Sequence, residues 1–552
     1  MKSFAGIVHR DGTSPDARLL QRMASALRLS ASSEPAIAID GACGLAGVSH
    51  RGGAARITQN GDVTVAGDMS VADDTVLRAW RQSREECAAR LSGDFSFALW
   101  DRAASTLFCA RDRFGVRPFF YAPIPRGLVF AGSLAAVLAH PDVAIDFDEA
   151  TVADYLTGGV TDDAQSTIYA HVRRLPPAHT MTFRGEPVLR RYWIPRAPTR
   201  RDGSPAELES ALKAAIAERV DTPSAIVFMS GGLDSTALAA LTREAAPQTR
   251  LLAMTSVYRT RIADVEEPFA VEAARSIGIP IRCVPLDHYA PLQAVDESAW
   301  TADPGALLSA PMTRDLYALA AGHAPLALHG HPADAVLAAN IATFVRSLSP
   351  SRRVTALVRY TRLKRRPPYF FIRDLLGFPR RVRNESAPPD WLLATPRAPR
   401  AEDPASDALR ALASPEWSSY FEWAHPLSTG AALELVYPWC DERVIEAALA
   451  LEPIPWLVDK HVLREILRGR VSERIRRRPK SYLQGDPWAC SLNQRDVVID
   501  AASRFIDPGR FMEACRTAGS LRDSTLRAVA FEYWLRALPS RVAGLRTGSA
   551  VP

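Results

Sequence analysis

Residues 230–235 read Ser-Gly-Gly-Leu-Asp-Ser, directly after the apolar run Ala225 to Met229 and directly before a helical stretch. Two adjacent glycines let the backbone turn tightly and bring N–H groups close to an oxyanion, and the positive end of the following helix adds to the attraction. Such a segment is a pyrophosphate cradle. It is neither a Walker loop nor a dinucleotide fingerprint, because G-x-x-x-x-G-K-[ST] and G-x-G-x-x-G are both absent. Asp234 alone would repel phosphate, so its place in an anion site makes sense if it holds Mg²⁺, a hard cation that takes carboxylate and phosphate oxygens together. The plainer reading is a glycine-rich turn with an N-capping Ser or Asp, which explains a cap but not the two glycines and Asp-Ser together.

The elements around this loop alternate. Ala237, Leu238 and Leu241 recur at helical spacing, Leu251 to Val257 is apolar, and Glu266 to Ile277 puts Phe269, Ala270, Ala273 and Ile277 on one helix face before Gly278. Ile281 to Leu286 predicts a third strand, Met312 to Ala321 a helix and Pro325 to His329 a fourth strand. This order predicts a parallel α/β sheet that binds ligands at the C-terminal ends of its strands. The first 195 residues read differently. Leu91 to Leu99 alternates as a strand with one buried face, followed by strands at Thr106 to Ala110 and Leu128 to Ala131 around the turn Arg113 to Pro118. That predicts layered antiparallel sheets. Residues 196–207, rich in Pro, Arg and Gly, predict a linker, and from 408 to about 540 the pattern is helical.

Composition narrows the function classes. The 552 residues carry 47% hydrophobic and 23% charged side chains and a net charge of +6, too weak a bias over this length to argue for nucleic acid. Lysine occurs only at Lys2, Lys213, Lys364, Lys460 and Lys480, so the basic side is nearly all arginine, dense between 345 and 383. No long apolar run and no secretory signal are evident, which predicts a cytoplasmic protein with no membrane partner. The seven scattered cysteines contain no C-x-x-C and predict neither a disulfide framework nor a zinc site.

The hexapeptide at 230–235 resembles the pyrophosphate loop of the ATP pyrophosphatases, and the wider chain resembles the asparagine synthetase B family. GDFSFALWD (93–101), ARDRFGVRPFFY (110–121) and LVFAGSLAAVL (128–138) are similar to its glutaminase-type domain. SGGLDS, GHPAD (330–334), LELVYPWCD (433–441), DKHVLR (459–464) and RRRPKSYLQGD (476–486) follow the order of its synthetase motifs. The resemblance implies a two-domain α/β and α+β protein. Residues 1–195 would be a glutaminase-like, Ntn-type β-sandwich, 196–207 the linker, and 208–552 an ATP-pyrophosphatase-type domain with helical additions and a basic insertion at 345–407. ATP and Mg²⁺ are implied as cofactors. Asp234 and Asp334 would be the metal ligands, and Ser230, Gly231, Gly232, Asp234 and Ser235 would hold pyrophosphate. Met229, Ser256 and Gly330 would lie against adenine, and Lys460 and Lys480 would serve the phosphates.

Glutamine-hydrolysing members expose Cys at position 2, where this sequence has Lys2 and then Ser3. His50-Arg51-Gly52-Gly53 and Ala66-Gly67-Asp68 only imitate the segments that hold glutamine. The expectation is a glutaminase fold without its chemistry, beside an intact ATP site. That leaves the branches that join a substrate's own amine to its own carboxylate, namely the β-lactam synthetases and the lasso-peptide macrolactam synthetases. His331 stands where the family places a catalytic dyad residue. An imidazole with a pKa of about 6.5 is matched to take a proton from a peptide ammonium of about 8. Glu434 aligns with the dyad's orienting Glu, so a His331–Glu434 pair is expected. His331 could instead pack or cap the strand end, or form a metal pair with His329.

Histidine in this position and the long basic insertion favour the lasso cyclases. Their resemblance implies a core peptide whose N-terminal amine closes on an Asp or Glu side chain, with a leader peptidase and a leader-recognition protein as further partners. The alternatives are a β-lactam synthetase-like cyclase, a glutamine-independent asparagine synthetase-like amide ligase, and a non-catalytic binding protein.

Overall fold

The run Ser224–Phe228 is the centre of a five-stranded parallel sheet, in the order Ile281–Pro285, Arg250–Val257, Ser224–Phe228, Leu326–Leu328, Glu434–Val436. The structure is a computed structural model. It describes residues 2–547 apart from 30–33, 51–56, 162, 197, 199, 290–300, 366–386, 398–410, 413, 481–497 and 518–522. Four of the five strands and the helices Leu233–Ala245, Glu266–Ile277 and Ala310–Ala321 fall where the hydrophobic spacing puts them. The fifth strand corrects the helical reading of everything after 408. Three residues are too few to show a period of two, and only the edge of Leu326–Leu328 recruits them. Because every strand is parallel, Met229, His329 and Tyr437 emerge at one end of the sheet.

The N-terminal part has four layers. Two six-stranded sheets pack face to face through Phe4, Trp100, Phe119, Phe130 and Met181. Outside the second sheet, Phe95, Phe97 and Leu99 meet Val76, Leu77 and Trp80 of the helix Asp73–Ser83. The strand Phe95–Asp101 is therefore buried on both faces, not on one as its alternation suggested. Small residues between the aromatics face the partner sheet, which makes them look like a solvent face in sequence. Outside the first sheet, Ala5, Ile7 and Val48 share a core with Phe531, Trp534 and Leu538 of the helix Asp523–Thr547. The end of the chain thus returns to the N-terminal domain, and the expected boundary at 208 does not separate two independent cores.

The segment expected as a linker is also docked. Gly203 donates its N–H to the Ala450 carbonyl at 3.0 Å, and Arg201 Nη1 donates to Leu449 and Leu451 at 3.2 and 3.4 Å. Of the basic insertion, the helices Ile341–Ser347 and Pro350–Lys364 are described and pack through Val345, Ala356 and Tyr360 onto Ile454 and Val458. The rest of its basic run, Cys490, Gly52 and Gly53 lie outside the described residues.

Buried arginines hold the two parts together. Arg174 Nε donates to both carboxylate oxygens of Glu422 at 3.0 and 2.8 Å, and Arg219 spans Asp94 at 3.1 Å and Asp441 at 2.8 Å. All five side chains are under 10% exposed. Removing one member of such a pair leaves an uncompensated buried charge. Arg174→Ala is expected to cost about 3–5 kcal/mol of unfolding free energy, measured by urea denaturation. A loss near that of an ordinary surface substitution would refute the interface role.

Candidate nucleotide-binding site

The loop after Ser224–Phe228 is bent by Gly231, whose φ is +72°. A Cβ on Gly231 would lie 2.6 Å from the Ala270 amide nitrogen, so no other residue fits without moving backbone. Ser235 Oγ accepts the Ser230 N–H at 3.3 Å and Ser230 Oγ accepts the Gly232 N–H at 3.4 Å, which ties the turn to itself. Met229 N–H is used by the Met254 carbonyl at 2.9 Å. The helix Leu233–Ala245 begins after Gly232, and no side chain caps it. The plain reading of a Ser- or Asp-capped turn therefore fails, and the first N–H groups of this helix face the loop's mouth.

Four charged residues converge there. Lys460 Nζ pairs with Asp234 Oδ2 and lies 2.5 Å from Asp334 Oδ1, and Lys480 Nζ is 3.3 Å from both Asp334 oxygens. Asp234 sits in the first turn of its helix, and Asp334 in the short helix Ala333–Val336 that follows the strand Leu326–Leu328. Lys460 and its neighbour Asp459 both have left-handed backbone, φ +54° and +49°. Two consecutive non-glycine residues in that region are costly, and the conformation aims the ammonium back at the carboxylates. Burial, opposed by Lys460, lifts the Asp234 pKa above the usual carboxylate value. At Asp334 burial acts the same way, but the bonds and charges of Lys460 and Lys480 outweigh it and bring the pKa below that value.

The donor set fits Mg²⁺. Asp234 Oδ1 is buried with no hydrogen-bond partner, a costly state that a cation relieves. No group of three or more potential metal-ligating side chains occurs among the described residues, so the protein offers two carboxylates. That is the usual share for Mg²⁺, which completes its octahedron with phosphate oxygens and water.

The remaining expected residues divide. Gly330 abuts the loop, since a Cβ there would meet Ser235 N at 3.4 Å, and Ser256 lies near the C-terminal end of the neighbouring strand. His331 emerges beside Asp334 and Lys460, whose charges act on its imidazole. Burial is the largest influence and lowers its pKa below 6.5. Glu434 is elsewhere. The register pairs it with Leu326 at the start of the strand that carries His331 past its far end, and its carboxylate accepts from Arg117 Nη2 at 2.7 Å. The expected His331–Glu434 pair is replaced by a stack of His331 on His329, at 4.7 Å between centroids and 13° between planes. Tyr420 and Trp417 enclose it at 4.9 and 6.0 Å. Parallel stacked rings do not converge on an ion, so the metal-pair reading of His329 and His331 is not supported.

Residues that the sequence reading did not single out complete the site. Arg478 is buried, donates Nη1 to the Ser230 carbonyl at 3.3 Å and covers the Phe269 ring at 4.1 Å. It adds a positive charge beside the cradle; its place two residues before Lys480 was the available signal. Trp417, Tyr420 and Phe421 follow i, i+3, i+4 spacing in EWSSYFEWA, which reads as ordinary core.

A glycine-bent anion cradle at the C-terminal edge of a parallel sheet, with paired carboxylates and lysines, defines an ATP-pyrophosphatase-type α/β domain, here joined to a glutamine-amidotransferase-like sandwich. Residues 66–193 match the glutamine amidotransferase domain, and residues 207–536 match asparagine synthase. The chain belongs to the asparagine synthase family.

It is 32% identical over 174 residues to asparagine synthetase (glutamine-hydrolyzing) 3 of Bacillus subtilis (strain 168), covering 30% of this chain and 28% of that protein. It is 30% identical over 245 residues to a putative asparagine synthetase (glutamine-hydrolyzing) of Mycobacterium bovis, covering 42% and 37%. With asparagine synthetase (glutamine-hydrolyzing) 1 of Bacillus subtilis (strain 168) it shares 26% over 294 residues, covering 51% and 45%. The matched stretches thus span less than half the length of each of these relatives. No helix among the described residues is long and apolar enough to cross a membrane.

Asp234→Asn separates stability from ligand binding. Replacing a buried carboxylate with a neutral amide removes a desolvation cost, so the melting temperature without ligand is expected to hold or rise. The additional stabilisation by Mg²⁺ and ATP should disappear in the same thermal melts. A variant that keeps the ligand-induced shift would exclude Asp234 as a metal ligand.

Proposed function

We propose that this chain is an ATP-dependent amide ligase that adenylates a substrate carboxylate and closes it with an amine of the same molecule, most specifically forming a macrolactam in a lasso core peptide. The observation that carries the ligase reading is the convergence of Asp234, Asp334, Lys460 and Lys480 on the glycine cradle. The N-terminal domain supports an amine source other than glutamine. Asp68, where a glutamine-holding segment would fall, is buried and committed to His425 at 3.2 Å and Arg117 at 3.6 Å. Both neighbours are themselves under 10% exposed.

In the proposed reaction a carboxylate oxygen attacks the α-phosphorus of ATP, and the bond to pyrophosphate breaks. The uncapped backbone N–H groups at the start of the helix Leu233–Ala245, together with Lys460, Lys480 and Arg478, stabilise the charge moving onto the leaving pyrophosphate. Mg²⁺, held by Asp234 and Asp334, would supply further charge neutralisation there. The amine then attacks the acyl carbon, AMP leaves, and His331 takes the proton released from nitrogen. With its pKa lowered by burial, His331 is neutral at physiological pH and able to accept. Its acceptor form is lost only as pH falls through that lowered value, so the difference in closure rate between wild type and His331→Ala should hold to below pH 6.5 and then shrink.

A peptide substrate is supported by the aromatic wall of Trp417 and Tyr420 beside His331 and by the basic helix Pro350–Lys364. On this reading a leader peptidase and a leader-recognition protein supply the core peptide. A second reading, an asparagine synthetase-like ligase that takes free ammonia, is favoured by the names of the curated relatives.

Protein, ATP, Mg²⁺ and a leaderless core peptide should yield AMP, pyrophosphate and a product lighter by one water. ADP in place of AMP refutes the ligase reading, and turnover of aspartate with ammonia but not of peptide selects the second. His331→Ala should retain substrate-dependent pyrophosphate exchange and slow ring closure by about 100-fold or more. Equal loss of both steps would assign His331 to nucleotide binding.

A further inference from the structure

We propose that His329 and Tyr420 form a proton-ordered pair that positions the His331 imidazole for amide closure, a role that rests on the functional reading above. His329 continues the strand Leu326–Leu328, its backbone N–H donating to the Val436 carbonyl at 3.1 Å, so its place is set by the sheet. Its ring is enclosed by Phe228 at 5.8 Å, Tyr437 at 6.0 Å, Tyr420 at 6.0 Å and His331 at 4.7 Å. Burial, with His331 adding to it, pushes the His329 pKa down to about 3, so the ring is neutral and carries one proton.

The hydrogen bonds decide which nitrogen holds it. His329 Nδ1 lies 3.4 Å from the backbone N–H of His331, and an amide N–H only donates. Nδ1 is therefore the acceptor, and the proton is on Nε2, which faces the Tyr420 hydroxyl at 3.3 Å. His329 donates and Tyr420 accepts. The ring of Tyr420 in turn stands at 60° to His331, 4.9 Å away, and Trp417 closes the next side at 6.0 Å. His331 is thus held from below by a ring whose tautomer is fixed, and from the side by the residue that fixes it.

The charged groups acting on His331 are Asp334 and Lys460 on the cradle side. No acid or base among the described residues pairs with its imidazole in their place. Orientation therefore falls to packing and to the His329–Tyr420 bond. Among the described residues, no hydrogen bond or ion pair joins either residue to the cradle loop, Asp234, Asp334, Lys460 or Lys480, which makes them positioning residues and predicts an effect concentrated in the second half-reaction.

Tyr420→Phe keeps the ring and removes only the acceptor. Because the ring that walls the site is kept, substrate-dependent pyrophosphate exchange should fall far less than ring closure, which should slow by about tenfold or more. The slowly exchanging Nε2 proton of His329, observed by NMR of ¹⁵N-histidine-labelled protein, should be present in the wild type and lost in the variant. Closure at the wild-type rate, or an equal fall in both half-reactions, overturns the role. Persistence of the Nε2 signal in Tyr420→Phe overturns the pair by itself. A wild-type protein that forms no amide refutes the functional reading and this role with it, whereas wild-type closure with an unaffected variant refutes the role alone.

Discussion

A carboxylate taken out of water must find a cation, and at Asp234 that requirement shapes the nucleotide end of the molecule. One oxygen pairs with Lys460 and the other is buried without a partner. The desolvation cost is sustained because Lys460 is brought in from a distant segment on two residues of left-handed backbone, and Asp334 is brought in from the end of another strand. Gly231 is part of the same constraint. Only a residue without Cβ lets the loop pass within contact of the helix Glu266–Ile277, and that passage sets the direction in which the next helix presents its uncapped N–H groups. The site stores unfavourable electrostatics and backbone strain together, the pattern expected where binding of a ligand relieves both.

The second demand on charge is structural and is met with arginine. Arg111 is fully buried and donates to the carbonyls of Gly115, Arg117 and Leu175, while Asp112 accepts N–H bonds from Phe114, Val116 and Arg117. This closes the turn of RDRFGVR and directs Arg117 to Asp68 within the sandwich and, across the domain boundary, to Glu434. A planar guanidinium can satisfy several fixed acceptors at once, which an ammonium cannot do in one plane. The arginine excess seen in the sequence is thus not confined to the 345–383 run. Arg117, Arg174 and Arg219 fasten the sandwich to the synthetase domain, while two of the five lysines, Lys460 and Lys480, meet carboxylates beside the cradle.

Legibility followed the range of the signal. The cradle, the two aspartates and Lys460 and Lys480 could be read because each lies in a short segment whose local chemistry is unusual. The parallel sheet could be read because its strands are continuous apolar runs separated by amphipathic helices. Glu434 could not be placed, since its role depends on register: one end of a three-residue strand faces Arg117 and the other faces His329. Tyr420 and Trp417 were invisible for a related reason. An i, i+3, i+4 aromatic stripe has the same pattern whether it covers a core or walls a site, and only the neighbouring strand end distinguishes the two. The return of Asp523–Thr547 to the first sheet is a long-range contact that no local pattern encodes.

These contrasts divide the C-terminal edge of the sheet into two electrostatic halves. On one side of Asp334 lie Lys460, Lys480, Arg478 and the helix N-terminus, a set of fixed positive charges suited to a polyanion. On the other lie His329, His331, Tyr420, Trp417 and Tyr437, a set of neutral rings in which burial lowers the basicity of both histidines. An ammonium approaching through the first half would be repelled by like charge. Approaching through the second, it meets low dielectric, aromatic faces and an uncharged imidazole, conditions that favour giving up its proton. Under the proposed reaction the activated carboxylate would stand at the border between the halves. Asp334, the residue on that border, is then constrained from both sides: by the lysines that lower its pKa and by the imidazole on which its charge acts.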